Sequence, residues 1–156
     1  MIEFTIPGQP QGKGRARVGS INGHARMFTP QKTVAYEGLI AHAAQQAMAG
    51  LPLFDGAVRL MLAIDCQIPA SWSVRKQNAA LAGDLFPTTK PDADNVLKAV
   101  CDGLNGVAWR DDVQVIDCVI RKRYSATPCV RVQINPVRQA AEQRQLAIGA
   151  AEAANA

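Results

Sequence analysis

Five charged residues near the middle of the chain have the types and spacing needed for phosphate chemistry. Asp92, Asp94 and Lys98 follow one another closely, and the pair Asp111-Asp112 comes shortly after them. Carboxylate oxygens are the ligands that Mg²⁺ and Mn²⁺ prefer, and both ions bind phosphate oxygens directly. If the fold brings three of these aspartates together, we expect hydrolysis of a phosphodiester by a metal-activated water, with the lysine facing the same phosphate.

The first two aspartates and the lysine belong to a segment with the pattern of an amphipathic helix. The pattern predicts a helix from about Asp92 to Asn105, closed by Gly106, with Asp92 at the N-cap or as the last loop residue. At about 100° per residue, one face of this helix is polar and the other is apolar. The polar face carries Asp94, Asn95, Lys98, Asp102 and Asn105, and the apolar face carries Leu97, Val100 and Leu104.

The same spacing also has an ordinary structural interpretation. Capping alone would explain Asp92, and an exposed ion pair between Asp94 and Lys98 would stabilise a helix by roughly 0.2–0.5 kcal/mol. The acidic pair Asp111-Asp112 favours the catalytic interpretation, because carboxylates about 5 Å apart repel by roughly 3 kcal/mol at an effective dielectric near 20. A fold that gathers these acids is expected to bind a cation there.

The order of the remaining elements predicts a mixed fold of the α+β class, in a single domain over residues 1–136. Residues 137–156 are rich in Ala, Gln and Glu, which predicts a marginal helix or a partly disordered tail. We expect the last two strands to form a hairpin, and Thr29 and Pro30 to be the N-cap and first residue of the first helix. The expected elements are a strand Glu3–Pro7, a glycine-rich loop, a helix from Thr29-Pro30 to Gly50, a strand Ala57–Ile68, a short helix from Ser71 to about Leu81, the acidic helix, and strands Val113–Tyr124 and Cys129–Ile134.

Composition limits the class of protein. A chain of 156 residues with 48% hydrophobic and 19% charged residues is typical of one globular domain. Its apolar runs are far shorter than the ~20 residues that span a bilayer, and the N-terminus lacks the pattern of a secretory signal. The four cysteines are isolated, which favours buried thiols in a reducing compartment. We therefore expect a cytoplasmic protein with neither a membrane partner nor a small-molecule cofactor.

Basic residues are concentrated in two places. No acid occurs between Glu3 and Glu37, where glycines alternate with basic residues, and a second cluster lies on a predicted strand. Solvating charges would explain either cluster alone, but together with an acidic site they favour a polyanionic substrate such as DNA. The candidate DNA-binding residues are Lys13, Arg15, Arg17 and Arg26 in the first region, Lys90 before the acidic helix, and Arg121, Lys122 and Arg123 in the second cluster.

Three runs near the middle of the chain have a specific sequence and separation: Lys90-Pro91-Asp92-Ala93-Asp94-Asn95-Val96-Leu97-Lys98, Asp102-Gly103-Leu104 and Trp109-Arg110-Asp111-Asp112-Val113-Gln114-Val115. Together they resemble the motifs of the RusA family of Holliday junction resolvases, small endonucleases common in bacteriophages and prophages. The resemblance is close from about Lys90 to Gln133. The N-terminal pattern Lys13-Gly14-Arg15-Ala16-Arg17 with Phe28-Thr29-Pro30 is similar to that of phage members.

This resemblance implies a role for each residue of the motifs. Asp92, Asp94 and Asp112 would be the catalytic acids that bind Mg²⁺, for which Mn²⁺ would substitute, and Lys98 would be the essential lysine. Asn95 would orient an aspartate, and Asp111 would be a supporting or capping residue. The family acts as a homodimer that cuts symmetric strands of four-way DNA junctions in recombination and repair, and has a mixed sheet flanked by helices. Some members carry an arginine just before the first aspartate, where this chain has Lys90-Pro91.

Two other functions are compatible with parts of the sequence. A noncatalytic protein that binds branched DNA would need only the two basic clusters. A metal-dependent sugar-nucleotide transferase would use Asp92-x-Asp94, although 156 residues is short for such an enzyme and Asp111-Asp112 would have no role.

Overall fold

A computed structural model describes residues 1–138, which form a single mixed α+β domain, as the sequence predicted. The tail expected over residues 137–156 lies outside the described residues apart from Val137 and Arg138. The strands are β1 (Ile2–Pro7), β2 (Arg17–Ile21), β3 (His24–Phe28), β4 (Val58–Gln67), β5 (Val115–Ser125) and β6 (Cys129–Pro136). The helices are α1 (Gln31–Met48), α2 (Val74–Ala82) and α3 (Ala93–Leu104), and a 3₁₀ turn covers Asp112–Gln114.

Four strands form the main sheet in the order β1-β6-β4-β5. The predicted hairpin between β5 and β6 is wrong, because β4 lies between them, parallel to β5 and antiparallel to β6. Alternate side chains of β4, from Val58 to Ile64, are fully or almost fully buried, and a strand this apolar is stabilised most when it has a partner on each side. The short connection after Ser125 therefore passes the end of β4, where Ser125 pairs with Gln67 and Cys129 with Asp65.

The glycine-rich basic segment contains a second, two-stranded sheet that the sequence prediction missed. β2 and β3 pair antiparallel around Asn22-Gly23, where both residues have positive φ, at 51° and 80°. An Asn-Gly pair is the preferred centre of a tight hairpin turn, so the signal was present in the sequence. The strands were overlooked because both faces of the hairpin are exposed, which removes the alternation of apolar and polar residues that marks a half-buried strand.

Two predicted boundaries are shifted. Pro30, with ψ of 136°, occupies the N-cap of α1 and forms no side-chain cap, so Thr29 lies outside the helix. The carbonyl of Pro30 accepts the amides of Thr33 and Val34, which makes Gln31 the first helical residue. β5 begins at Val115 rather than Val113, since the 3₁₀ turn takes the preceding residues. Ser73, by contrast, caps α2 by accepting the Lys76 amide at 3.4 Å.

One face of the sheet packs against α1 and α3, and this packing fixes the position of α3. Val96, Val100 and Leu104 on α3 and Trp109 just after it are fully buried. The two helices approach most closely at Gly103, where a Cβ would lie 2.8 Å from Ile40 Cγ2 of α1. Glycine is therefore required there, and it holds the polar face of α3 in a defined orientation. Over residues 1–138, no helix is both long and apolar enough to cross a membrane.

Candidate active site on the third helix

The N-terminus of α3 presents Asp92 and Asp94 to solvent. Asp92 is the N-cap residue, but its side chain accepts no backbone amide of the helix. It accepts a hydrogen bond from Asn95 Nδ2 at 3.2 Å instead. Capping therefore does not explain Asp92, and Asn95 holds an aspartate in the way the motif predicted.

Lys98 lies one turn further along the exposed face of α3. Among the ion pairs of residues 1–138, none involves Lys98, so the expected pair with Asp94 is not formed within 4.0 Å. A simple helix-stabilising pair thus does not account for this lysine. Its ammonium is free to meet an anion from solvent.

The 3₁₀ turn after α3 separates the roles of the two adjacent aspartates. Asp111 caps the turn, because its carboxylate accepts the Val113 amide at 3.3 Å. Gln114 closes the same turn by accepting the Arg110 amide at 2.9 Å, and it anchors the turn by donating to the carbonyls of Phe54 and Gly56. The Asp112 carboxylate accepts no backbone amide among the described residues, and it projects from an anchored turn.

The surroundings of Asp112 show which part of α3 it faces. Slight desolvation raises the pKa of this exposed carboxyl, followed by a hydrogen bond and like charge from Asp111 and by the charge of Asp102, while Lys98 acts in the opposite direction. Asp112 is therefore within electrostatic range of Lys98 and Asp102, and the turn that carries it contacts α3. Buried Cys101 is also nearby, but burial raises its thiol pKa to about 12, so it stays protonated at neutral pH.

The chemistry of these donors fits a hard divalent cation. Every candidate ligand is a carboxylate oxygen, and a cation near Asp112 would relieve the repulsion from Asp111 and Asp102. Within residues 1–138, however, no group of three Asp, Glu, His or Cys side chains is already close enough to hold one ion. Joint ligation by Asp92, Asp94 and Asp112 accordingly stays a prediction.

The loop between β1 and β2 lies across α3 and brings Lys13 to it, a residue that the sequence predicted to bind DNA. The Lys13 amide donates to the Asn95 carbonyl at 2.9 Å, and its ammonium forms an ion pair with Asp102 and approaches Glu37 of α1 at 3.5 Å. The Asp102 pair, more than any other influence, raises the pKa of Lys13. Lys13 was expected to bind DNA, but here it joins three elements around the site. The sequence predicts Asp102 on the polar face of α3, whereas Glu37, the other acid near Lys13, has no recognisable signal.

The other N-terminal cations have the placement expected of DNA-binding residues. Arg15, Arg17 and Arg26 are exposed and, within the described chain, form no ion pair. Lys90 lines an open cleft of about 430 Å³ between the β1–β2 loop and the start of α3. This cleft is also lined by Asp92 and Asn95, so an anionic strand lying in it would pass one of the proposed metal ligands, Asp92.

The structure does not keep Arg121, Lys122 and Arg123 together as one patch. Successive side chains of a strand point to opposite faces, so Lys122 lies on the helix side and donates to the Thr89 carbonyl. Arg121 and Arg123 lie on the other face, in register with Ala63 and Asp65 of β4. Arg123 pairs with buried Asp65 at 2.7 Å, which gives it a structural role. DNA contact by these three residues stays a prediction.

Comparison with known proteins finds a matching family and a similar bacterial protein. The sequence model of the family described as Endodeoxyribonuclease RusA matches residues 7–135, most of the chain and all of the elements that build the site. The chain is also 37% identical over 138 residues to the uncharacterized protein YqaN of Bacillus subtilis (strain 168). That alignment covers 87% of this chain and 96% of YqaN, so the likeness extends over most of both chains.

Proposed function

This chain belongs to the RusA family of endodeoxyribonucleases, and from that premise we propose that it is a Mg²⁺-dependent nuclease that cuts four-way DNA junctions during recombination and repair. The observation that carries the proposal is the position of Asp112. Its carboxyl is acted on by the like charges of Asp111 and Asp102 and by Lys98, which forms no ion pair among the described residues, and it stands on an anchored turn that contacts α3. Such a concentration of charge suits a cation and a phosphate held together.

Each residue of the site would have a separate task. Asp92, Asp94 and Asp112 would hold the metal, which supplies a water of lowered pKa and neutralises charge on the phosphate. Lys98 would stabilise the negative charge that gathers on the phosphate in the transition state. Asn95 would keep Asp92 oriented through its 3.2 Å hydrogen bond, and Asp111 would keep the turn that presents Asp112.

DNA would be held by residues around the site rather than by the site itself. Arg15, Arg17 and Arg26 would contact phosphates from the exposed hairpin and its leading loop, and Lys90 from the cleft at the start of α3. A homodimer would place two such sites across a two-fold axis, as symmetric cutting of a four-way junction requires.

A supercoiled plasmid that extrudes a cruciform tests the proposal. With Mg²⁺ or Mn²⁺ the protein should linearise this plasmid, since paired cuts at a junction open both strands, and without a divalent ion it should not. A plasmid of the same size without the inverted repeat is the control and should stay supercoiled. Retardation of the cruciform plasmid without cutting under any divalent ion would instead support a noncatalytic branched-DNA-binding protein.

A further inference from the structure

Two acidic residues on the polar face of α3 are possible ion-pair partners for Lys98. Asp94 lies four residues before it and Asp102 four residues after it, and residues at this spacing are neighbours on a helix surface. Asp102 lies one helical turn from Lys98 toward the C-terminal end of α3, and its charge also acts on Asp112. A lysine paired with Asp102 would be turned away from Asp94 and from a phosphate at the start of the helix.

In the structure, Asp102 already has a partner, Lys13. Its ammonium forms an ion pair with Asp102 and also approaches Glu37 at 3.5 Å, at the crossing of α1 and α3. These side chains are only about a quarter exposed, at 29% for Lys13, 24% for Glu37 and 25% for Asp102, so the charges are screened less than on an open surface. Lys98, in contrast, takes part in none of the ion pairs between described residues.

The backbone of the same loop keeps Lys13 in place. The Lys13 amide donates to the Asn95 carbonyl at 2.9 Å, and a Cβ at Gly12 would lie 2.8 Å from the Asn95 Cβ, so the loop rests directly on α3. On the other side, the Gly14 amide donates to Thr33 Oγ1 of α1 at 3.0 Å. The segment that carries the Lys13 ammonium is therefore held against both α1 and α3.

We propose that Lys13 is a positioning residue for the proposed cleavage reaction: by pairing with Asp102 it leaves the Lys98 ammonium free for the scissile phosphate. The inference rests on the proposed function, but it assigns Lys13 a task different from DNA binding. Lys13 also offsets one of the two negative charges that Asp102 and Glu37 place near the site. Without it, Asp102 would attract Lys98 and add an uncompensated charge beside Asp112.

The test asks whether Asp102→Asn rescues the defect of Lys13→Met. Lys13→Met, Asp102→Asn and the double variant are compared in single-turnover cleavage of a synthetic four-way junction. Lys13→Met should cut roughly three- to tenfold more slowly, because a part-screened ion pair diverts only a fraction of Lys98. Asp102→Asn removes the competing acid and should stay within about twofold of the wild type. The double variant should recover to the rate of Asp102→Asn, since Lys13 has no task once Asp102 is neutral.

Other roles for Lys13 give different results. If Lys13 binds DNA, Lys13→Met weakens junction affinity, flattens its salt dependence and is not rescued by Asp102→Asn, which would overturn the proposal. If the ion pair only ties the loop to α3, the double variant cuts no faster than Lys13→Met, which would also overturn it. A severe loss of activity in Asp102→Asn would show that Asp102 itself takes part in the reaction, with the same consequence.

A measurement without DNA separates this inference from the proposed function. In protein with nitrogen-labelled lysine, the Lys98 ammonium signal should shift in Lys13→Met and return in the double variant, whether or not any junction is cut. Lys13→Arg should keep the wild-type signal and rate, because it preserves the charge. Lys76→Met, on α2 packed against β5, is the matched control and should leave the Lys98 signal unchanged. An unmoved Lys98 signal in Lys13→Met would contradict the inference.

Discussion

The acidic helix and the β2–β3 hairpin are both exposed and charged, but the protein supports them very differently. α3 rests on a fully buried face that includes Val96, Val100 and Leu104. Every residue of the hairpin strands except Gly19 is exposed, including Val18 at 73% and Met27 at 72%. The contrast suggests a division of labour, in which chemistry depends on a fixed geometry and DNA recognition on an adaptable surface.

The hairpin has little internal stabilisation of its own. Its clearest contact is the Phe28 ring over Gly19, where a Cβ would lie 2.8 Å from the ring. An isolated two-stranded hairpin is marginally stable in water, so we expect this one to gain order when its arginines meet phosphates. Changes in α3 should then alter cleavage, and changes in the hairpin should alter binding.

The largest expected effect is on cleavage by Lys98→Ala. Removing one preorganised charged donor lowers a reaction rate by ~10²-fold or more, whereas junction affinity measured in Ca²⁺ should fall much less. Single-turnover cleavage and a gel-shift titration measure the two quantities. Normal cleavage by this variant at saturating protein would remove Lys98 from the site and end the distinction between the two regions.

The second largest effect is expected on junction binding, from the arginines of the β2–β3 hairpin and the loop before it. Replacing Arg15, Arg17 and Arg26 together with alanine should weaken junction binding and reduce its salt slope by about one unit per lost contact. The rate at saturating protein and the melting temperature should change little, because these side chains lie apart from the core. An unchanged salt slope would place the DNA elsewhere, and the remaining candidates would be Lys90, Arg121 and Lys122.

Asp112→Asn should stabilise the metal-free protein. Because the folded-state pKa of Asp112 is raised, its ionised form destabilises the fold at pH values above that pKa, and the penalty disappears as the pH falls and the carboxyl is protonated. The variant should melt at a higher temperature than the wild type at about pH 7, and the two melting curves should converge in acid. Mg²⁺ should raise the melting temperature of the wild type more than that of the variant. Equal melting temperatures with and without Mg²⁺ would argue against a cation site at Asp112.

The smallest effect is expected at Arg123, which the sequence had grouped with DNA-binding residues. Arg123→Ala should lower the free energy of unfolding by about 1 kcal/mol, since buried Asp65 keeps Arg131 as a partner at 3.2 Å. Denaturant unfolding measures this loss, and junction affinity should be unchanged. A fall in affinity with unchanged stability would return Arg123 to the DNA surface.

The sequence predicted α3 well because burial and function act on opposite faces of the same helix. Val100 and Leu104 repeat at helical spacing, while Asp94 and Lys98 fall on the other side. The partners of β5 could not be predicted in the same way, because a loop of a few residues between two strands usually implies a hairpin. In the structure β4 pairs with β5 on one edge and with β6 on the other, and no local pattern in the loop indicates that order. The role of Lys13 depends on a contact between residues 13 and 102, which no local pattern reveals.

The most direct test of the proposed active site compares substitutions of two adjacent residues, Asp111 with its supporting role and Asp112 with its proposed catalytic role. Single-turnover cleavage of a four-way junction in Mg²⁺ should be lost in Asp112→Asn while junction binding in Ca²⁺ is kept. Asp111→Asn should retain most of the wild-type rate, because asparagine can still accept the Val113 amide that caps the turn. Cleavage by Asp112→Asn at the wild-type rate, with cuts at the same phosphates, would contradict the proposed active site.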